Sequence, residues 1–342
     1  MRALIKNSIF LISKYIGLFA VSRAFARNKI RVLCYHGFTM EDEHRNVPGL
    51  FIEPSEFEKR LKYLKTKGYQ VVSLEQAYQN IKRGEDKKDQ VVITIDDGYF
   101  SVLKEAAPLL KEYQYPSTLY LTSYFFNKDC PVFTLAVGYM MWKSSKTHAD
   151  FSALNIPSIS KYKYCELTSE NKNKIAILIK EYGQPLQGNE KRVAILQNLG
   201  VVLDVDYQQL NRQRLFNLVN EEELSELLDH GVDIQLHTHR HTFPVNHKIA
   251  QKEIQDNKSA IDPLLAKPMT HFCYPSGVWS TKHWEVLEEE DIATATTCVT
   301  GLVDDESQLL AWPRILDSSR VSQVEFEAEV SGFNELLRMA RS

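Results

Sequence analysis

The sequence predicts an α/β protein whose strands form a parallel sheet or barrel, interrupted by one mainly helical insertion. Apolar, strand-like runs alternate along the chain with segments of helical periodicity, which is typical of parallel strands joined by helices. This alternation stops in the middle of the chain and then resumes. The 342 residues, with 44% apolar and 25% charged content, are sufficient for one large core or two modest ones.

In the first part of the chain, strands and helices alternate up to about residue 126. Pro54 marks the start of one helix and Gly68 its end, as their backbone preferences predict. We predict strands over 30–38, 69–73, 91–95 and 117–123, and helices over 54–67, 74–82 and 101–113.

The alternation is lost between about residues 127 and 215, where Lys-rich polar stretches surround short helical patterns at 174–182 and 193–199. We interpret this part as an insertion. The alternation resumes at a helix that begins with Asn220 and Glu223 in capping-box spacing. Helices are predicted over 221–230, 248–265 and 281–290, and strands over 232–236, 269–274, 293–297 and 312–316.

Residues 1–29 form a separate segment ahead of the domain at 30–342. Apolar and basic residues are interspersed in this segment. Residues 1–40 contain seven Lys or Arg and no acid. Lys14 interrupts the apolar run, which is shorter than the ~20 residues that span a bilayer. One interpretation is a helix on an anionic membrane surface, in contact through residues 1–28, which the barrel does not need for folding. The other is a helix packed on the domain.

The five cysteines are scattered and form no CxxC pair, so the sequence indicates neither a disulfide framework nor a zinc ribbon. Reduced cysteines and the basic segment favour a cytoplasmic protein at the inner membrane surface. An exported form stays open but ranks third. The apolar region of its signal peptide would contain the charged Lys14. Nucleic-acid binding is not expected, because the basic residues lie in one apolar segment rather than on an aromatic and basic face.

Two adjacent carboxylates, Asp96 and Asp97, follow the apolar run 91–95 and precede Gly98. At the carboxyl end of a barrel strand they would lie where active sites of such folds gather. One of them could bind a metal while the other deprotonates water. The alternative is an Asp-Gly turn with solvated acids.

A second polar cluster, His237-Thr-His239-Arg-His241, follows the strand predicted over 232–236. Two imidazoles and one carboxylate make a three-ligand site with open positions, suited to zinc or another divalent ion that brings the pKa of bound water to ~7. The alternative is an exposed loop or a helix cap. The two clusters together favour a metal-dependent catalytic site.

Several motifs of this chain resemble those of polysaccharide deacetylases, the family of the NodB homology domain. Thr94-Ile-Asp96-Asp97-Gly98 is similar to the TFDDG motif, and His237-Thr-x-x-His241 is similar to the H(S/T)xxH motif. The segment around His36, the segment from Phe272 to Gly277 and Trp312-Pro-Arg-Ile resemble three further family segments, in the same order. The resemblance covers about residues 30–126 and 216–335.

The resemblance implies a distorted (β/α)7-type barrel that binds a divalent metal, zinc or else cobalt or nickel. It implies Asp97, His237 and His241 as metal ligands and Asp96 as the base that activates a metal-bound water, with no ligand role for His239. Tyr274 would bind substrate beside the acetyl group, its backbone N–H helping to hold the oxyanion. We place Tyr99, next to the Asp-Asp-Gly triplet, with Tyr274 among the substrate-binding residues.

The chain departs from the family pattern at two positions that affect the mechanism. Many relatives have an Arg before the aromatic-Pro segment and a late Leu-x-His that supplies the general acid, and neither is present here. We suggest that Arg314 supplies the missing cation to Asp96, the alternative being a salt bridge at the rim. His36 is our candidate for the acid, against a buried structural histidine.

These observations predict a metal-dependent hydrolase that removes acetyl groups from a polysaccharide or a cell-surface glycan precursor, with N-acetyl as the first choice and O-acetyl as the open alternative. An acetylated glycan is therefore the expected partner. One rival is a degenerate barrel that only binds glycans, and the intact acids and histidines argue against it. The other rival is a related hydrolase that cuts a non-sugar C–N amide bond.

Overall fold

Seven parallel strands form a closed barrel in the computed structural model, which describes residues 2–186 and 188–340. Each strand pairs with its neighbours in chain order, and the last strand pairs with the first, which also pairs with the second. The predicted (β/α)7-type barrel is therefore confirmed. Its strands are β1 (Arg31–Tyr35), β2 (Gln90–Asp97), β3 (Ser117–Leu121), β4 (Val232–Leu236), β5 (His271–Cys273), β6 (Thr294–Thr300) and β7 (Trp312–Leu316).

Helices surround the barrel and cover the outward-facing side chains of its strands. Gly68, with φ of 68°, ends the first of them, and Asn220 and Glu223 form the predicted capping box. These elements are Pro54–Lys67, Leu74–Arg83, a π-helix at Val102–Ala106 that continues into Ala107–Tyr113, Glu221–Asp229, His247–Ile261, Trp284–Glu289, Gln323–Val330 and Phe333–Met339.

The remaining elements are short. The strand predicted over 69–73 is only Gln70–Val71, which pairs with β2 outside the closed barrel. Its polar residues leave it too little apolar length for a core strand. Two small sheets pair Gly37–Phe38 with Phe51–Ile52 and His148–Ala149 with Cys165–Glu166. Short helical segments of one or two turns lie at Glu43–Asn46, Ser152–Leu154, Pro157–Tyr162, Asp262–Leu264, Pro275–Gly277, Thr281–His283 and Leu309–Ala311.

The segment between β3 and β4 folds into a helical unit with a core of its own. Its helices are Phe133–Lys143, Ser169–Gly183, Asn189–Leu203 and Tyr207–Arg212. Met140, Ile179 and Leu199 are fully buried in this core, which is distinct from the main core around the barrel. The unit follows β3 and precedes β4, so it is attached at the carboxyl rim of the barrel, next to the polar residues that end β2 and β4.

The N-terminal segment forms two helices, Arg2–Tyr15 and Leu18–Phe25, which pack on the helices after β7. Phe10 and Phe19 contact Phe333 with ring-centroid distances of 6.2 and 5.2 Å. Among the described residues, no single helix is long and apolar enough to cross a membrane, and Ile5–Tyr15 with Leu18–Phe25 passes that test only as a pair bent by 78°.

The interpretation of the N-terminal segment as a helix packed on the domain is confirmed for one of its faces, while the other face is exposed. Its basic side chains form ion pairs with the domain: Lys6 with Glu325, Lys14 with Glu327, Arg23 with Asp89 and Lys29 with Asp304. Removal of the segment would uncover Phe333 and leave these acids without their cations. Whether the barrel folds without the segment therefore stays a prediction, to be tested by truncation before Lys29.

Candidate active site at the carboxyl rim of the barrel

The two adjacent aspartates lie at the carboxyl end of β2, where the strand turns sharply. Asp97 has a φ of 74° and Gly98 a φ of 96°, a conformation that only glycine adopts without strain. A Cβ on Gly98 would lie 2.2 Å from the Leu121 side chain. The turn directs both carboxylates into the rim, and both are buried.

The histidine motif forms a tight loop after β4 that brings two imidazoles to the same point. Thr238 and His241 have φ values of 63° and 55°, and non-glycine residues in this conformation cluster at functional sites. Asn257 accepts a hydrogen bond from the His237 backbone N–H at 3.1 Å and donates to the Leu121 carbonyl at 3.1 Å. These bonds hold the start of the loop in place.

Asp97, His237 and His241 form one of the groups that could hold a metal ion. Their ligand atoms all lie within 4.8 Å of one another, and both Nε2 atoms are 3.3 Å from Asp97 Oδ1. His237 Nδ1 is 2.9 Å from the Cys273 carbonyl oxygen. A proton on Nδ1 would therefore leave the Nε2 lone pair free for a metal. Two imidazole nitrogens and a carboxylate oxygen are a donor set that fits zinc.

The charges of Asp97 and His241 suit a metal. The pKa of His237 is raised, against burial, by its contacts with Cys273 and Asp97, so an ion that bound at Nε2 would displace a proton from His237. Burial opposes ionisation of Asp97, but the hydrogen bond with His237 and the charge of His241 hold the pKa of Asp97 below its usual range. Burial, only partly offset by Asp97, lowers the pKa of His241. A charged carboxylate and a neutral imidazole are the protonation states that a metal ligand needs.

Asp96 forms a buried bidentate ion pair with Arg314. Arg314 Nη1 and Nη2 donate to the two carboxylate oxygens at 2.7 and 2.8 Å, and Arg314 is fully buried. Arg314 Nε donates to the Thr297 carbonyl at 2.9 Å and Nη1 to Thr94 Oγ1 at 3.2 Å. The predicted pairing is therefore present, and it is not a salt bridge at an exposed rim.

Arg314 determines the ionisation of Asp96. Burial by itself would raise the pKa of Asp96, but the charge of Arg314 and its hydrogen bonds outweigh burial and lower the pKa below the usual range. Asp96 is therefore ionised at neutral pH. This is the state in which a carboxylate can act as a base.

His36, Tyr99 and His239 lie close to this centre. His36 Nε2 is 3.7 Å from Asp96 Oδ2, and its side chain is 20% exposed. Tyr99 is buried against Phe51, and burial together with the charge of Asp97 raises the pKa of its hydroxyl. His239 Nδ1 is 2.8 Å from Ser123 Oγ instead of joining the metal group.

The expected role of Tyr274 needs correction. Its backbone N–H donates to the Thr296 carbonyl at 3.1 Å, and its hydroxyl donates to the Leu310 carbonyl at 2.9 Å. Its side chain is fully buried. The amide is engaged in the pairing of β5 with β6, so it is not free to bind an oxyanion. Tyr274 instead fixes the strand end that carries Cys273.

Two cysteines and a threonine that surround the Asp96–Arg314 pair were not predicted from the sequence. The sulfur atoms of Cys34 and Cys273 lie 3.6 and 3.4 Å from Asp96 Oδ2. Thr94 lies two residues before Asp96 on β2, and Cys34 lies two residues before His36. Because alternate strand residues share a face, this spacing indicates that both point into the barrel with the site residues.

Comparisons with known proteins agree with this geometry. A family model described as polysaccharide deacetylase matches residues 198–313, a range that includes His237 and His241. The matched range is thus similar to part of the polysaccharide deacetylase domain. A relative from Bacillus subtilis (strain 168), named "Putative polysaccharide deacetylase YxkH", is 31% identical over 96 residues, which are 27% of this chain. The match spans 32% of that relative's length.

Solved structures are similar in fold to this chain over most of its length, including the whole barrel. The deacetylase PplD of Streptococcus pyogenes, solved in complex with acetate, has a TM-score of 0.57 and 17% identity, over 89% of this chain and 99% of that one. IcaB from Ammonifex degensii has a TM-score of 0.55 and 15% identity, over 89% and 97% of the two chains. At these identities the likeness establishes the fold.

Proposed function

We propose that this protein is a metal-dependent hydrolase that removes N-acetyl groups from a polysaccharide or a cell-surface glycan precursor. The observation that carries the proposal is the position of the Asp97, His237 and His241 group next to the ionised Asp96–Arg314 pair. A metal site beside a carboxylate base is the arrangement needed to add water to an amide carbonyl. The match to the deacetylase family model and the acetate-bound relative support the same reaction.

The three ligands would hold a divalent ion, which we propose to be zinc, with cobalt or nickel as alternatives. Such an ion, when bound, polarises the acetyl carbonyl and acidifies water. Asp96 takes a proton from the attacking water, and Arg314 holds the Asp96 carboxylate in position. The C–N bond then breaks, acetate leaves and the sugar amine gains a proton. His36, at 3.7 Å from Asp96, is our candidate for delivering that proton.

Acetate release from defined glycans tests the proposal. The purified protein, loaded with zinc, is expected to release acetate from N-acetylated fragments of capsule, lipopolysaccharide or peptidoglycan type, and to release less from O-acetylated ones. Glycan binding without acetate release by the metal-loaded protein would support a degenerate binding barrel. Release from non-sugar amides alone would point to a different hydrolase.

Replacement of Arg314 is expected to move the acidic limb of the pH–rate profile to higher pH. Asp96 must be ionised to act as a base, and Arg314 is what keeps its pKa low against burial. In Arg314→Ala the main opposition to the effect of burial is gone, so the pKa of Asp96 rises. As the pH is lowered, Asp96 is then protonated at a higher pH than in the wild type, and activity is lost there. The measurement is kcat/KM against pH, with circular dichroism at each pH.

Two further variants complete the Arg314 test. Arg314→Lys keeps the positive charge but not the bidentate geometry, so its acidic limb is expected between those of the wild type and Arg314→Ala. Arg338→Ala removes a partly exposed cation that pairs with Glu329 and Glu335 and should leave the limb in place. An unmoved limb in a folded Arg314→Ala would show that Arg314 does not set the protonation of the base.

We also propose that the exposed face of the N-terminal helices lies on the cytoplasmic surface of a membrane. Ile9, Ile12 and Ile16 are 52%, 61% and 67% exposed, and Phe25 is 74% exposed. Arg27, close to Phe25, is exposed and has no ion pair among residues 2–186 and 188–340. An apolar face bordered by a free cation is complementary to the interface of anionic lipids. The unpaired thiols next to Asp96 support a reducing compartment.

Vesicle binding by this face is expected to come mainly from burial of its apolar side chains. It should depend only weakly on salt, because most basic residues of the segment are already paired with acids. The triple variant Ile9→Ser, Ile12→Ser, Ile16→Ser should bind vesicles at least about tenfold more weakly, since partial burial of three such side chains exceeds 1.4 kcal/mol. Co-sedimentation with phosphatidylethanolamine–phosphatidylglycerol vesicles measures it.

The control for this prediction is Val201→Ser, which removes an apolar side chain that is 80% exposed on the inserted helical unit. It should not alter vesicle binding. Both variants should unfold at the wild-type temperature, because they change exposed positions. If the wild-type protein ignores these vesicles at low salt, the membrane proposal is wrong.

A further inference from the structure

A cavity of about 520 Å³ lies between the barrel rim and the inserted helical unit, and one member of the metal group, His241, lies on its wall. The wall also includes Tyr124 and Phe125 from the loop after β3, Phe133 and Pro185 from the inserted unit, and Arg240. The volume is within the range of sites that bind small organic ligands. A sugar whose acetyl group reached the metal group would extend its next unit into this cavity.

Arg192 is a buried cation at this cavity without an acidic partner. It is 6% exposed and lines the cavity. A guanidinium has five N–H donors, and those of Arg192 bind the Tyr124 hydroxyl, Asn189 Oδ1 and the carbonyls of Gly183, Gln184 and Leu186 at 2.8 to 3.1 Å. Among residues 2–186 and 188–340, no carboxylate forms an ion pair with it.

The hydrogen bonds of Arg192 make it a positioning residue. It fixes the 183–186 turn of the inserted unit against Tyr124 of the barrel, so the wall of the cavity is preformed. Because its donors are all engaged, it does not bind a ligand directly. Its charge is surrounded by neutral acceptors and is poorly solvated, so its field in the cavity is stronger than that of a solvated cation.

Arg240 is the residue that can contact a ligand from the cavity wall. Its side chain is 45% exposed, and Nη1 donates to Glu253 Oε1 at 2.8 Å and lies 3.4 Å from Asp256 Oδ2. Its Nε and Nη2 donors have no hydrogen bond among the described residues. Arg240 thus presents free donors next to His241, on the wall of the cavity that Arg192 also lines.

We propose that this cavity is a subsite for an anionic group, a carboxylate or a phosphate, on the sugar unit next to the acetylated one. Arg240 would bind the anion and Arg192 would favour it through its charge, while Tyr124 and Phe125 contact the sugar ring. This inference rests on the proposed function, because it takes the acetyl group to lie at the metal group. Such a subsite would make the inserted unit a determinant of glycan specificity.

Binding of matched neutral and anionic probes to the zinc-loaded, full-length protein tests the subsite. The probes are an N-acetylglucosaminyl-glucuronate disaccharide, its methyl ester, which lacks only the charge, and an N-acetylglucosamine disaccharide with a phosphate on the second sugar. We expect at least one anion to bind about tenfold more tightly than the ester, as a charge-assisted hydrogen bond provides. The two anionic probes distinguish carboxylate from phosphate.

Variants separate the two arginines. Arg240→Gln should remove the preference for the anion while leaving affinity for the ester within about twofold. Arg192→Lys keeps the charge but loses at least two of the five bonds, so it should retain part of the preference and raise KM more than it lowers kcat. Arg212→Gln, on an exposed cation of the same unit, should bind every probe as the wild type does.

Equal affinity for the ester and both anions would overturn the subsite, and so would a preference that survives in Arg240→Gln. These outcomes are separate from a failure of the proposed function. A protein that prefers the anions but releases no acetate from any acetylated glycan has the subsite without the activity. A protein that deacetylates neutral sugars without any anion preference has the activity without the subsite.

Discussion

His241→Ala is expected to remove the bound metal and to lower turnover by ~10³-fold or more, because several kcal/mol of transition-state stabilisation depends on the ion. His241 Nε2 is 3.3 Å from Asp97 Oδ1, and its side chain is 40% exposed. The substitution therefore takes away one ligand without opening a large hole in the core. Metal content by mass spectrometry and acetate release, measured on the same preparation, are the two readouts.

His239→Ala is the matched control, because His239 belongs to the same loop but faces Ser123 and Tyr124. It should retain the metal. Stoichiometric zinc in His241→Ala, or loss of zinc in a folded His239→Ala, would mean that the ligands are not those of the Asp97, His237 and His241 group.

Asp96→Asn is expected to retain the metal but to lower turnover by ~10² or more, because it removes the base and leaves the three ligands in place. An amide in this position also leaves Arg314 buried without a counter-charge, which is costly. Loss of stability must therefore be measured together with activity. Zinc content, the unfolding temperature and kcat distinguish a missing base from a damaged fold.

The sign of the stability effect follows from the pKa of Asp96. Its folded-state pKa is lower than that of an exposed aspartate, so the ion pair stabilises the protein above the unfolded-state pKa, and this stabilisation is lost as pH falls through the lowered folded-state pKa. The wild type should thus lose more stability towards acid than Asp96→Asn does. Normal turnover by Asp96→Asn would remove Asp96 from the mechanism.

Strand ends and motifs in the sequence were sufficient to predict the barrel and the residues at its rim. Asp96 lies at the end of an apolar strand and His237 follows another, and parallel strands bring such residues to one edge. The sequence could not reveal that Tyr274 would use its amide in strand pairing, because that depends on the register of β5 against β6. The register is a tertiary property.

The faces of the N-terminal helices could not be assigned from the sequence either. A helix with interspersed basic and apolar residues can lie on a lipid surface, and it can equally pack on the domain and pair with acidic side chains there. The partners of Lys6 and Lys14 are Glu325 and Glu327, more than 300 positions away. The cavity wall at Arg192 could not be predicted for the same reason, since the hydrogen-bond partners of Arg192 come from both the barrel and the inserted unit.

The closure of the barrel has a consequence for the order in which this protein folds during synthesis. Strand β1 needs both β2 and β7, and Asp96 needs Arg314, which follows it by 218 positions. Until the ribosome has released β7, β1 has an open edge and Asp96 has no cation. Such long-range contacts form slowly, and open strand edges invite aggregation. We therefore expect nascent chains to depend on chaperones until β7 emerges, and the active site to be among the last parts to form.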